Sequence, residues 1–151
     1  MRIAIGNDHA GLKLKEIIKQ RFSTPVREFT DFGVNTPQPA VDYPDIAAAV
    51  GEAVARGDYD QGILVCGTGI GMAIAANKVP GIRAALCHDV FTAKAAREHN
   101  DANILTLGER VLQSDVACDI VDAWLQARFA GGRHTRRLEK IRELEKKYCR
   151  K

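Results

Sequence analysis

Short apolar runs alternate with amphipathic stretches from one end of the 151-residue chain to the other. The apolar runs predict five strands, near residues 2–6, 26–32, 61–66, 82–87 and 103–107. This alternation is typical of consecutive βαβ units, in which helices cover both faces of a parallel sheet. We therefore expect a Rossmann-like α/β three-layer sandwich with a five-stranded parallel sheet.

The stretches between the predicted strands show the 3.6-residue period of amphipathic helices. Two apolar stripes define the first two helices: Leu14, Ile17, Ile18 and Phe22, then Ile46, Ala49, Val50, Ala53 and Val54. Further helices are predicted from the turn at 69–71 to Lys78, over about 90–98, and from an N-cap at Ser114 through Phe129. Three prolines within 33–44 predict a loop there.

A tail, residues 132–151, follows a glycine pair and predicts a separate helix. Residues 133–151 contain nine Lys or Arg and three Glu, a net charge of +6, so the first 132 residues carry −3 of the total +3. Interleaved glutamates favour a docking helix over a nucleic-acid-binding tail. Apolar residues at helical spacing also favour a docking helix; they are Leu138, Ile141, Leu144 and Tyr148. The glycine break would allow this helix to pack on a partner subunit.

Composition limits the classes of protein to consider. Hydrophobic residues make up 46% of the chain and charged residues 27%, as in soluble globular proteins, and no apolar run approaches a membrane span. Because the chain opens directly on a predicted strand, we expect no signal peptide and a cytoplasmic protein. Its length fits one domain over residues 1–151. The four cysteines, at 66, 87, 118 and 149, lack the spacing of a zinc site or a disulfide framework.

Cys66 is placed where a buried strand should give way to the glycine-rich turn Gly67-Thr68-Gly69-Ile70-Gly71. In parallel α/β folds the carboxyl ends of strands face the ligand crevice, and such a turn exposes N–H groups that hold anions. The same environment favours a thiolate. A small buried residue that merely ends a strand is an equally good interpretation at this point.

The glycines of this turn also resemble the dinucleotide motif G-x-G-x-x-G, with Asp89 about 20 residues further along. The match is imperfect, because Met72 stands where the third glycine is needed and the motif follows the third predicted strand rather than the first. An anion smaller than a dinucleotide suits the turn better.

Other polar residues are candidates for the same crevice. Asp8 and His9 follow the first strand, although Asp8 could simply cap the next helix. His99 lies in a polar run at a helix end, where a capping or surface histidine is the simpler interpretation. Four arginines could clamp a phosphate: Arg110, Arg133, Arg136 and Arg137.

Taken together, these segments resemble the type B ribose-5-phosphate isomerase family, which includes galactose- and allose-6-phosphate isomerases. The matching motifs occur over nearly the whole chain: Asp8-His9-Ala10-Gly11, Asp42-Tyr43-Pro44, the turn 66–71, Ala75-Ala76-Asn77-Lys78, Gly81-Ile82-Arg83-Ala84, His99-Asn100-Asp101-Ala102-Asn103, Gly108-Glu109-Arg110, and Gly131-Gly132-Arg133-His134 with Arg137. The resemblance implies an aldose–ketose isomerase that uses no metal or organic cofactor. It also implies homodimers or homotetramers whose sites are shared between chains.

The resemblance also implies roles for individual residues. Cys66 would be the base that moves a proton between C2 and C1, and no acid within 70–75 offers a substitute. Thr68 and the N–H groups of 67–71 would stabilise the enediolate. His99 would open the sugar ring, and Asp8 would move protons between O1 and O2. The remaining contacts would be His9, Arg133 and Arg137 on the phosphate, with Asn100, Arg110 and Tyr43 lining the pocket.

The leading hypothesis from the sequence is therefore interconversion of ribose 5-phosphate and ribulose 5-phosphate, in the pentose phosphate pathway. A six-carbon sugar-phosphate isomerase is the alternative of the same class. A non-catalytic sugar-phosphate or nucleotide binding module is the alternative of another class.

Overall fold

The computed structural model describes residues 1–149, and strands and helices alternate along them. In chain order the elements are β1 (Arg2–Asn7), α1 (Leu12–Phe22), β2 (Glu28–Asp31), α2 (Tyr43–Ala55), β3 (Gln61–Cys66), α3 (Ile70–Ala76), β4 (Ala84–Leu86), α4 (Val90–Asn100), β5 (Ile104–Gly108), α5 (Ser114–Gln126) and α6 (Arg133–Tyr148).

The five strands form one parallel sheet in the order β2-β1-β3-β5-β4. From β1 the chain crosses to β2 on one side, and β3 then pairs with β1 on the other. The carboxyl ends of β1 and β3 therefore flank a topological switch point, where open α/β sheets bind ligands. Their register sets Asn7 beside Val65, so Asp8 and Cys66 are close to each other at that edge.

Helices cover both faces of the sheet, and each face has its own apolar cluster. Leu14 and Ile18 of α1 pack with Trp124 of α5 on one face, and α4 joins them there. On the other face Val50 of α2 packs with Met72 of α3. The predicted three-layer sandwich is thus confirmed. Within residues 1–149, no helix is both long and apolar enough to cross a membrane.

Several predicted boundaries were wrong, each for a local reason. β2 starts at Glu28, because Thr24 and Arg27 exchange backbone hydrogen bonds in a preceding tight turn. Tyr43 and Pro44, predicted to belong to the loop, begin α2, where a proline in the first turn loses no helical hydrogen bond.

Other differences lie at helix ends. α3 ends at Ala76, before the predicted Lys78, and α4 ends at Asn100, beyond the predicted end at about 98. The N-cap of α5 is Gln113 rather than Ser114, and the helix ends at Gln126 because the next residue is extended.

The tail helix α6 packs in part on its own chain. Leu138 is buried, and Glu145 accepts a hydrogen bond from the Gly81 N–H at 2.8 Å. The other apolar residues of its stripe, Ile141, Leu144 and Tyr148, stay exposed. Contact with a partner subunit remains a prediction, and the final two residues of the tail lie outside the described residues.

Lys15 is a fully buried lysine that anchors the loop after β2. Its ammonium donates to the Val34 carbonyl at 2.7 Å and to Asn35 Oδ1 at 3.0 Å, and it pairs with Asp31 at 2.9 Å. Burial opposes the charge on Asp31, but hydrogen bonds from Lys19, Lys15 and the Gly33 N–H outweigh it and lower the pKa of this carboxyl.

We expect Asp31→Asn to lower the free energy of unfolding at pH 7 by about 2–3 kcal/mol, because buried Lys15 would lose its nearer counter-charge and keep the more exposed Glu16 at 3.4 Å. Because the native pKa is lowered, the contribution of the pair is complete above about pH 4 and disappears as the pH falls further. Urea unfolding at pH 7 and at pH 3 measures the difference. As a control, Asp58→Asn removes an exposed pair with Arg56 and should cost under about 0.5 kcal/mol. Equal losses at both pH values for Asp31→Asn would contradict this account.

Candidate active site

Cys66 ends β3 at the carboxyl edge of the sheet and is 5% exposed. The Gly69 N–H donates to its Sγ at 3.1 Å. Gly69 has φ +79°, a left-handed conformation that glycine adopts without strain and that starts α3. This backbone donor holds the sulfur at the start of the glycine-rich turn.

Asp8 lies beside Cys66, immediately after β1. Its N–H donates to the Val65 carbonyl at 3.3 Å, and its Oδ1 accepts from the Ala10 N–H at 2.9 Å. The interpretation of Asp8 as a helix cap is wrong, since Gly11 is the N-cap residue of α1. The side chain closes an Asx turn instead, and it is 6% exposed.

A cavity of about 450 Å³ opens over this pair, and we call it the thiol cavity. Its lining consists of Asp8, His9, Ala10, Tyr43, Cys66, Gly67, Thr68, Ile70, Gly71, Ile74 and Arg110. The structure thus brings together most of the predicted site residues. Gly69 is outside the lining but bonds to Cys66 through its N–H. The cavity is near the size of sites that hold small ligands.

Two neighbouring contacts shape the cavity wall. A Cβ atom at Gly71 would lie 2.6 Å from the ring of Tyr43, so the glycine allows the tyrosine to lie against the start of α3. Thr68 Oγ1 accepts from the Ile70 N–H at 3.3 Å. Of the N–H groups expected to stabilise an enediolate, those of Gly69 and Ile70 therefore already bind side chains of the loop.

A second group of predicted residues lies elsewhere. The rings of His99 and His134 stack with centroids 4.4 Å apart and an interplanar angle of 12°. Burial lowers the pKa of His134, and the neighbouring His99, Arg133 and Arg137 lower it further. These four residues form the histidine–arginine cluster, whose two arginines supply positive charge that favours binding of an anion.

The two groups lie at opposite edges of the sheet within one chain. Helix α4 leaves the carboxyl edge after β4 and returns to the amino edge before β5, and His99 and Asn100 occupy its last positions. Its eleven residues span about 16 Å at 1.5 Å per residue. Asn100 borders a different hollow, beside Arg83 and the exposed stripe of α6. Within one chain, the thiol cavity and the histidine–arginine cluster therefore do not form a single site.

Other expectations need correction or addition. Asp89, the acidic residue noted in the comparison with the dinucleotide motif, caps α4 by accepting from the Thr92 N–H at 2.7 Å. The sequence analysis quoted His134 within a motif but gave it no role, and it missed Ile74, one helical turn after Ile70 in the cavity wall. In the described part of the chain no three His, Cys, Asp or Glu side chains group as metal ligands.

Comparison with known proteins decides the family. A model of the ribose/galactose isomerase family matches residues 3–141. The chain belongs to this family. Ribose-5-phosphate isomerase B of Escherichia coli is 45% identical over 146 residues, covering 97% of each chain.

Solved structures agree with this assignment. The isomerase resembles ribose-5-phosphate isomerase B of Clostridium thermocellum with a TM-score of 0.95 and 55% identity, covering 98% of this chain and 99% of that one. The Mycoplasma genitalium ribose-5-phosphate isomerase B, solved with bound ribulose 5-phosphate, gives a TM-score of 0.91 at 45% identity and 96% coverage of both chains. These relatives are enzymes, which argues against a non-catalytic binding module.

Proposed function

We propose that the protein interconverts D-ribose 5-phosphate and D-ribulose 5-phosphate through an enediolate, with Cys66 as the base and without a metal or organic cofactor. The observation that carries the proposal is the thiol cavity, where Cys66 and Asp8 meet at the switch point between β1 and β3. The names of the relatives from Escherichia coli and Clostridium thermocellum support ribose 5-phosphate as the substrate.

In this mechanism the Cys66 thiolate takes the proton from C2 of the open-chain aldose. The electrons of the C–H bond form a C1–C2 double bond, and those of the carbonyl bond move to O1. Asp8 carries the O2 proton to O1, and the Cys66 thiol returns its proton to C1, which leaves a carbonyl at C2. Thr68 and the N–H groups of Gly67 and Gly71 stabilise the charge on oxygen.

Ring opening and phosphate binding complete the reaction. The sugar phosphate is mostly cyclic, so its ring must open before C2 loses a proton. His99 opens the ring by transferring a proton at the ring oxygen. Phosphate is bound by His9 and Arg110 of the thiol cavity and by Arg133 and Arg137 of the histidine–arginine cluster. Asn100 makes a further polar contact.

We also infer that the working unit is a homodimer or larger homo-oligomer in which one chain supplies the thiol cavity and its partner the histidine–arginine cluster. The separation of the two groups across the sheet supports this arrangement. Exposed apolar residues near both groups also support it, since Ile70 and Ile74 lie on α3 and Ile141 and Leu144 on α6. Contact between chains would cover them.

A turnover assay with chelator present tests the proposal. Purified protein is incubated with ribose 5-phosphate, allose 6-phosphate or galactose 6-phosphate, and ketose formation is measured. We expect the highest kcat/KM with ribose 5-phosphate. A higher value with a six-carbon phosphate would identify the alternative substrate class, and no turnover of any of them would contradict the proposal.

A further inference from the structure

Glu109 follows β5 and is bonded through its backbone to the strand that carries the thiol. Its N–H donates to the Cys66 carbonyl at 2.9 Å, and the next residue, Arg110, donates to the Gly67 carbonyl at 3.0 Å. The segment packs so closely there that a Cβ atom at Gly108 would lie 2.6 Å from the backbone of Thr68. The positions of Glu109 and Arg110 are thus set by the Cys66 loop.

The side chain of Glu109 reaches a third segment. Its Oε2 accepts from the Leu14 N–H at 2.9 Å, across 95 positions of sequence. Helix α1 has no capping side chain of its own and no acid in its first turn. A distant carboxylate therefore satisfies an N–H that would otherwise lack a partner at the start of this helix.

This contact joins the parts of the thiol cavity. The turn before α1 carries Asp8 and His9, and the Gly11 N–H at the helix start bonds back to the Asp8 carbonyl at 3.1 Å. Among residues 1–149, Glu109 is therefore the one side chain that bonds the start of α1 to the segment that carries Arg110. It adds a direct bond to the backbone bonds by which the turn of His9 and the segment of Arg110 are each held to β3 and its loop.

We infer that Glu109 is a positioning residue for phosphate binding in the thiol cavity. It acts through His9 and Arg110, which it holds at a fixed separation, and it does not itself contact substrate. This inference rests on the proposed function for the identity of the substrate.

The charge of Glu109 makes the inference testable. A carboxylate beside Arg110 repels a phosphate, so its removal would lower KM for a sugar phosphate if charge alone mattered. Loss of positioning has the opposite sign, because misplaced phosphate ligands bind more weakly. The direction of the change in KM therefore separates the two effects.

The experiment compares Glu109→Ala with Glu109→Gln, which keeps an acceptor oxygen for the Leu14 N–H. We expect Glu109→Ala to raise KM for ribose 5-phosphate about tenfold with a smaller change in kcat, and Glu109→Gln to stay within about threefold of wild type. Asp60→Ala is the matched control, since Asp60 accepts from the Arg2 N–H at 2.7 Å at the opposite edge of the sheet. Its KM should equal that of the wild type.

A second measurement does not depend on turnover. Inorganic phosphate should protect Cys66 from alkylation by iodoacetamide, followed on the Cys66 peptide, and about tenfold more phosphate should be needed in Glu109→Ala. Glu109→Asp, whose shorter side chain withdraws the acceptor, replaces the alanine variant if that variant does not fold, with the same expectation. An unchanged or lower KM in Glu109→Ala, or an equal rise in Asp60→Ala or Glu109→Gln, would overturn the inference. Failure of the proposed function would show instead as wild-type protein inert towards ribose 5-phosphate.

Discussion

Cys66→Ala is expected to reduce kcat by about 10³-fold or more, because it removes the proposed base for the C2 proton. Binding of a substrate analogue should remain nearly intact, since the polar groups around the sulfur are retained. The change is small in volume, so the thermal unfolding midpoint should stay within a few degrees of the wild type. Steady-state kinetics, analogue titration and thermal unfolding of the same preparation measure the three quantities.

Cys87 provides the matched control for this substitution. It is buried at the end of β4, and burial raises the pKa of its thiol to about 11, so the group stays protonated near neutral pH. Cys87→Ala should therefore keep kcat near the wild-type value. A Cys66→Ala enzyme within about tenfold of wild type would place the base elsewhere.

The second large effect is expected from Arg133→Ala combined with Arg137→Ala. Each arginine is proposed to donate charge-assisted hydrogen bonds to phosphate, worth about 1.5–3 kcal/mol apiece. The double variant should lose roughly 10³-fold in kcat/KM, mostly through KM.

Arg136 lies between these arginines on the same helix and is also exposed, but it is absent from the charged neighbours of His134. Arg136→Ala should change kcat/KM by no more than about twofold, because an exposed charge outside the site contributes little. Equal losses in Arg136→Ala and in the double variant would show that only the net charge of α6 matters.

The alternation of apolar runs and amphipathic stretches was sufficient to predict the parallel sandwich, because period and order of elements follow from local sequence. Boundaries were less predictable, as at β2, where the bonds between Thr24 and Arg27 shorten the strand. The choice between a cap and an Asx turn for Asp8 depended on where α1 begins, which the local pattern leaves open.

Long-range contacts within the site could not be predicted from spacing. Glu109 bonds Leu14 only because β1, β3 and β5 are consecutive in the sheet. The order of the strands in the sheet cannot be deduced from their order along the chain. The stacking of His134 on His99 likewise depends on where α6 packs after the glycine pair. The positions of Cys66 and Asp8 at one edge of the sheet were predictable because Cys66 ends β3 and Asp8 directly follows β1 at the switch point.

The position of α4 has the largest consequence for mechanism. Because this helix carries His99 to the amino edge of the sheet, Cys66 and His99 of one chain cannot act on the same sugar in their proposed roles. The proposed site, assembled from two chains, would make catalysis depend on association, so specific activity should fall when the protein is diluted below its dissociation constant.

Mixing two variants, assayed with substrate well below the wild-type KM where both are nearly inactive, tests this central claim directly. Cys66→Ala retains the histidine–arginine cluster, and the Arg133→Ala, Arg137→Ala double variant retains the thiol cavity. In equal amounts, after subunit exchange, half of the dimers are mixed, and each mixed dimer has one intact site of two, so about a quarter of wild-type activity should return. No recovered activity, although mass spectrometry shows mixed oligomers, would contradict a site shared between chains.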